Sequence, residues 1–137
     1  MMRRKQRNRV SFGFTLIEAV VVMAVAAILA AVAIPNYSEY VMRSHRSAVQ
    51  SFISDVASRQ SQFFVDRRNY AATVAALNVT APAEVTARYT VAIAVVAGPP
   101  AGFQVTATPT GAQATDRCGV LTIDQAGNRT AVSNRCW

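Results

Sequence analysis

The 137-residue chain has little of what catalytic and metal centres are usually built from. It contains one histidine, His45, and two cysteines, Cys118 and Cys136, which leaves almost no material for a metal site. There is no HExxH and no glycine-rich phosphate loop, and the seven acids are scattered without an obvious pair. No catalytic residue, cofactor or metal is therefore expected, and an enzyme is disfavoured. Charged residues are also sparse, at 15% against 52% hydrophobic, with a mean hydropathy of +0.21. That balance excludes a disordered polyelectrolyte and points to a segment in contact with lipid. The length allows one domain core and no second.

The net positive charge is concentrated at the front. Arg3, Arg4, Lys5, Arg7 and Arg9 precede the first acid, Glu18, and Ala19 to Ile34 is then uncharged and almost wholly apolar. A basic start followed by an apolar run is the pattern of an exported or anchored chain, whose positive end stays cytoplasmic. Phe14 to Ile34 is 21 residues, and as a helix it would reach about 30 Å, enough to cross a hydrocarbon core. Ala31-Val32-Ala33 would suit an ordinary secretory signal cut after its apolar region. Glu18 argues against that, because a carboxylate within a spanning helix costs ~2.5–3.5 kcal/mol and calls for a partner.

The boundary between charge and apolar run reads Gly13-Phe14-Thr15-Leu16-Ile17-Glu18. This segment resembles the processing site of type IV prepilins and their pseudopilin relatives. The resemblance implies cleavage between Gly13 and Phe14 by a dedicated prepilin peptidase, methylation of the new N-terminus at Phe14, and an assembly role for Glu18 as the fifth mature residue. It extends to Pro35 and Tyr37 after the apolar run and to the cysteines of the C-terminal region. In physical terms, cleavage exposes an ammonium group at the mouth of an apolar helix, and a carboxylate beside it makes both charges tolerable. Phe14 and Glu18 lie one helical turn apart on the same face, so spacing alone also permits pairing within one chain. Pairing with Glu18 of a neighbouring chain is what the resemblance implies.

Removal of residues 1–13 as a cytoplasmic leader would take five cations and leave nine arginines against seven acids. The mature chain would be a weak electrostatic match for DNA, whose non-specific binding rests on many phosphate contacts. The remaining chain divides into an apolar transmembrane or filament-core helix over 14–35 and a globular head over 36–137. Pro35 withholds one helical hydrogen bond, so a kink is expected there. Beyond it Val41, Ala48, Phe52, Val56 and Phe63 recur at helical spacing, with Arg43, Arg46, Asp55 and Arg59 assigned to the outer surface. An amphipathic helix over 36–68 follows, with His45 near its apolar stripe and Arg67-Arg68 suited to the helix C-terminus.

Residues 69–88 read as a connecting loop with one short helical turn around Ala72 to Leu77. Two alternating segments, Tyr89 to Val95 and Phe103 to Ala107, flank Gly98-Pro99-Pro100-Ala101-Gly102 and read as a hairpin. Val120 to Ile123 and Thr130 to Val132 form a second pair. The expected class is α+β, a long helix against a small antiparallel sheet. Cys118 and Cys136 enclose 17 residues, and in an exported chain without CxxC they favour a disulfide, contributing ~3 kcal/mol in the chain-entropy model. Trp137 is expected to pack beside it.

The resemblance implies the type IV pilin fold with a C-terminal disulfide-closed loop, and a structural subunit of a type IV pilus, a minor pilin of the PilE-like kind. Its implied partners are other pilin subunits, the prepilin peptidase and the inner membrane before assembly. The head would face the periplasm first and the extracellular fimbrium later, serving twitching motility or adhesion. Two alternatives stand beside it. One is a type II secretion pseudopilin, which shares the N-terminal motif. The other is a DNA-uptake pilin contacting nucleic acid through Arg88, Arg117, Arg129 and Arg135.

Overall fold

The computed structural model describes residues 13–137. The leader expected over residues 1–13 therefore lies outside the described residues except for Gly13. Helix α1 spans Leu16–Arg67, 52 residues, and its helical assignment runs through Pro35. The chain separates into two compact units between Ser38 and Glu39.

In the first unit α1 starts as its sequence suggests. The Thr15 hydroxyl accepts the Glu18 amide at 3.3 Å, satisfying one of the donors orphaned at a helix start, and Glu18 sits in the first turn where the helix dipole favours an anion. The apolar residues that follow are all exposed, from Leu16 at 82% to Ile34 at 69%. The helix is long and apolar enough to cross a membrane by length and composition, with none of its most apolar stretch buried.

The second unit, residues 39–137, holds the whole hydrophobic core and is called the head below. Its sheet has the order β1 (Tyr89–Val96), β2 (Gly102–Pro109), β3 (Leu121–Asp124), β4 (Arg129–Thr130), every pair antiparallel. Alternation sends Phe103, Val105, Ala107, Leu121 and Ile123 into one buried cluster with Val49, Phe52, Ile53 and Val56 of α1. The α+β class and the long helix over a small antiparallel sheet are as expected.

Sequence and structure differ on the buried face of the helix. Its buried positions are Arg46, Val49, Phe52, Ile53, Val56 and Gln60, so Phe52 and Val56 are interior as expected, whereas Val41 and Ala48 are only half-buried. Arg46, assigned to the outer surface from its charge, is interior because an acid from the far end of the chain meets it there. Gln60 is interior because its amide replaces a backbone partner. Its Nε2 donates to the Ala71 carbonyl at 2.6 Å and its Oε1 accepts the Ala71 amide at 2.9 Å. That pins the connector as it leaves the helix, just past Arg68, which takes φ +59 where α1 ends.

The connector carries more structure than one turn. A 3-10 turn covers Ala75–Leu77 and buries Leu77; helix α2, Ala83–Thr86, starts after Pro82 and buries Val85. A further 3-10 segment, Gly111–Thr115, joins β2 to β3. Proline at the N-terminal edge of α2 follows from its preset φ and missing donor. Gly119, at φ +56, lies where a Cβ would stand 2.8 Å from the Val132 side chain, so this turn admits only glycine without rearrangement.

Candidate functional site

Two regions of the chain carry the residues singled out from sequence. In the first unit, Gly13 precedes the helix, Phe14 is 83% exposed and Glu18 is exposed within the first turn. Among the described residues no cation pairs with Glu18. Among the described residues, Glu18 thus stands as an exposed carboxylate at the head of an exposed apolar run.

The second region surrounds the disulfide. Cys118 and Cys136 are bonded, with Cα atoms 5.6 Å apart. The bond brings Arg117 and Arg135, each just before a bridged cysteine, into one neighbourhood. Arg129 joins them through Trp137: its guanidinium lies 5.1 Å from the indole centroid, and the indole Nε1 donates to the Thr130 carbonyl at 2.9 Å. Trp137 is half-buried against the core cluster. Arg129 and Arg135 are exposed, and Arg117 forms an ion pair with Glu39 at 3.2 Å. Arg88, the fourth arginine expected to reach DNA, stands apart. It is half-buried and precedes β1, on the sheet edge opposite β4.

Beneath this surface lies a polar cluster that sequence reasoning missed. Arg46 meets Asp116 in a bidentate pair, Nε to Oδ2 at 3.0 Å and Nη2 to Oδ1 at 2.6 Å, with side chains 8% and 2% exposed. Asp116 also accepts the Cys118 amide at 3.0 Å and the Gln113 Nε2 at 2.9 Å. The same Gln113 Nε2 lies 3.0 Å from the Tyr89 hydroxyl and 3.1 Å from the Met42 carbonyl, so its two hydrogens are shared among three acceptors. On the other cysteine, the Gln50 side-chain amide donates to the Cys136 carbonyl. Both ends of the disulfide are therefore tied to α1 through polar contacts. Burial pushes the Asp116 carboxyl up, but the Arg46 hydrogen bond, the Cys118 amide, the Arg46 charge and Gln113 outweigh it and hold it below its usual value. Burial raises Tyr89, helped by the Asp116 charge. The available signal was the stripe itself: Arg46 and Gln60 are in phase with Val49, Ile53 and Val56, and a charge in phase with a core stripe calls for an opposite charge elsewhere.

At the β3–β4 turn, Asp124 accepts the Asn128 side-chain amide at 2.9 Å and the amides of Ala126 and Asn128 at 2.8 and 2.9 Å. The Asn128 side chain leads these contacts in lowering the Asp124 carboxyl below its usual value.

Residues 35–122, well over half of the chain, match the family model described as type IV minor pilin ComP, DNA uptake sequence receptor. The chain belongs to the type IV pilin family. Residues 8–34 of this pilin match the prokaryotic N-terminal methylation motif, which covers Gly13, Phe14 and Glu18. The pilin is 40% identical over 68 residues to the type IV major pilin protein PilA of Myxococcus xanthus, covering 50% of this chain and 30% of that protein. It is 40% identical over 65 residues to the type IV wide pilus major component PilA4 of Thermus thermophilus, covering 47% and 50%. To the fimbrial protein EcpC of Eikenella corrodens it is 36% identical over 74 residues, covering 54% and 48%. The pilin thus spans half or less of the length of each of these relatives. Its long helix, four-stranded antiparallel sheet and C-terminal disulfide form the type IV pilin fold.

Proposed function

We propose that this pilin is a minor structural subunit of a type IV pilus, held in the inner membrane by its apolar helix until it enters a filament with other pilin subunits. The observation that carries this reading is the Gly13–Glu18 processing segment opening directly into an exposed apolar helix, together with the methylation-motif match over the same residues. In this reading a prepilin peptidase removes residues 1–13 and methylates Phe14. Residues 14–35 form the anchor, Pro35 loosens the helix behind it, and residues 36–137 form a head that faces the periplasm before assembly. The subunit serves twitching motility or adhesion through assembly, not catalysis. Intact-mass analysis of sheared filaments is expected to find a chain that begins at N-methylated Phe14. A chain starting at Ile34 would identify a secretory signal instead, and retention of residues 1–13 in the filament would overturn the processing step.

A second reading, DNA uptake, is favoured by one observation, the match to a family described as a DNA uptake sequence receptor. The arginines best placed for it are Arg129 and Arg135, exposed around the disulfide beside Trp137. Arg129→Ala and Arg135→Ala are each expected to weaken retention of duplex DNA by the pilin and to lower the dependence of log affinity on log salt by about 0.9. Arg88→Ala is expected to leave both unchanged. Equal losses for Arg88 and the disulfide-side arginines would indicate a diffuse charge effect.

A further inference from the structure

The head carries a small basic and aromatic patch near its start, set apart from Glu18 and from the exposed Arg129 and Arg135, and sharing only Arg117 with the arginines considered for DNA. Glu39 lies between two guanidinium groups, Arg43 Nε at 3.5 Å and Arg117 Nη2 at 3.2 Å, both on the same oxygen. The arginine side chains remain 60% and 66% exposed, and Tyr40 next to Glu39 is 71% exposed. Two cations and one acid leave a net positive charge. Each guanidinium has five N–H donors, and the carboxylate contacts one nitrogen of each.

The chain limits where this patch can be. If the run ending at Ile34 lies in a bilayer, Glu39 follows it by five residues. However the two units are angled, five residues of chain reach no farther than about 17 Å. The headgroup layer occupies about the first 5–7 Å beyond the hydrocarbon. An amphipathic tyrosine ring and forked phosphate-binding guanidinium groups suit that layer better than open water.

We infer that Tyr40, Arg43 and Arg117 form a contact surface for the headgroups of anionic phospholipids, docking the head on the membrane before assembly. The inference rests on the membrane-anchored reading above. Arg43 and Arg117 bind the lipid phosphate with the donors Glu39 does not engage, and the tyrosine ring settles at the headgroup level. Glu39 holds the two guanidinium groups together across the helix and the segment after the Gly111–Thr115 turn, and limits their attraction for anions. Leaving the membrane for a filament releases the patch.

The test places the full chain in lipid nanodiscs with two photoreactive lipids, one reactive in a phosphatidylglycerol headgroup and one in an acyl chain. Labelled peptides are then located by mass spectrometry. The acyl probe is expected to label residues 14–34, and the headgroup probe to label the peptides holding Tyr40 and Arg117. Headgroup labelling should exceed that from a photoreactive phosphatidylcholine headgroup several-fold, since each basic side chain at an anionic surface contributes about fivefold. It should fall to the phosphatidylcholine level in an Arg43→Gln/Arg117→Gln variant. It should also fall when salt is raised until the screening length shrinks from about 10 Å to about 3 Å. Glu39→Gln is expected to shift labelling the other way, upward, which separates loss of charge from loss of fold. No acyl labelling over residues 14–34 would overturn the anchored reading itself. Acyl labelling with no headgroup labelling, with equal labelling by the two headgroups, or with labelling indifferent to these variants, would overturn the docking surface alone and leave that end of the head to a protein neighbour.

Discussion

An Asp116→Ala head is expected to lose about 3–5 kcal/mol of folding stability, the cost of leaving a buried guanidinium without its partner. The size follows from how much converges on this carboxylate: both arms of Arg46, the Cys118 amide and the Gln113 side chain. Denaturant unfolding of the oxidised protein measures it. An Arg46→Met/Asp116→Leu double variant should regain most of the loss, because apolar residues of similar volume replace a buried ion pair at little cost. A loss below about 1 kcal/mol in the single variant would mean that the pair behaves like a surface salt bridge. The same contact gives stability a pH dependence of definite sign. The Asp116 carboxyl is lowered in the folded state, so its stabilisation is complete above the unfolded value, about 3.9. It is lost as pH falls from there through the lower folded value. Asp116→Ala should remove that acid-side decline.

The other large effect is expected in assembly. Glu18→Ala should leave α1, the disulfide and the head intact, since Glu18 contributes only its backbone amide to the Thr15 cap. Incorporation into filaments should drop at least about tenfold, the equivalent of about 1.4 kcal/mol. A carboxylate paired with a neighbour's N-terminal ammonium in apolar surroundings is held more strongly than that in its pair, and removing one partner strands the other. The measurement is the ratio of filament to membrane-fraction subunit. Unchanged incorporation would refute charge pairing as the contact that holds neighbouring subunits.

How far the sequence carried each of these conclusions varied with the range of the interaction. The N-terminal methylation motif and the apolar helix are local patterns and could be read directly from residues 3–34. So could the strands, where alternation in Tyr89–Val95 and Phe103–Ala107 anticipated β1 and β2 to within one or two residues of their ends. The cysteine pair was legible because a chain with two cysteines offers one partner for each. Contacts set by distant parts of the chain were not. Arg46 and Asp116 are 70 residues apart, and nothing near either predicts the other. Charge alone assigned Arg46 to the surface, and of the expected stripe of Val41, Ala48, Phe52, Val56 and Phe63 only Phe52 and Val56 are fully in the core. Likewise Gln60 and Ala71 meet across a helix end whose geometry no propensity specifies. The arginine group was only partly legible, since the disulfide gathers Arg117 and Arg135, β4 brings Arg129 to Trp137, and Arg88 is left on the other edge.

The Gln60 clamp on Ala71 has a consequence for how this subunit diversifies. With the connector fixed at Ala71 by the helix and at Tyr89 by the sheet, and with only Leu77 and Val85 between them dipping into the interior fully, the stretch from Asn78 to Pro82 is bounded by anchored chain on both sides. Doubling a flexible loop costs only about 0.6 kcal/mol in closure entropy. Insertions there are expected to change this part of the head's surface while its interior stays as it is.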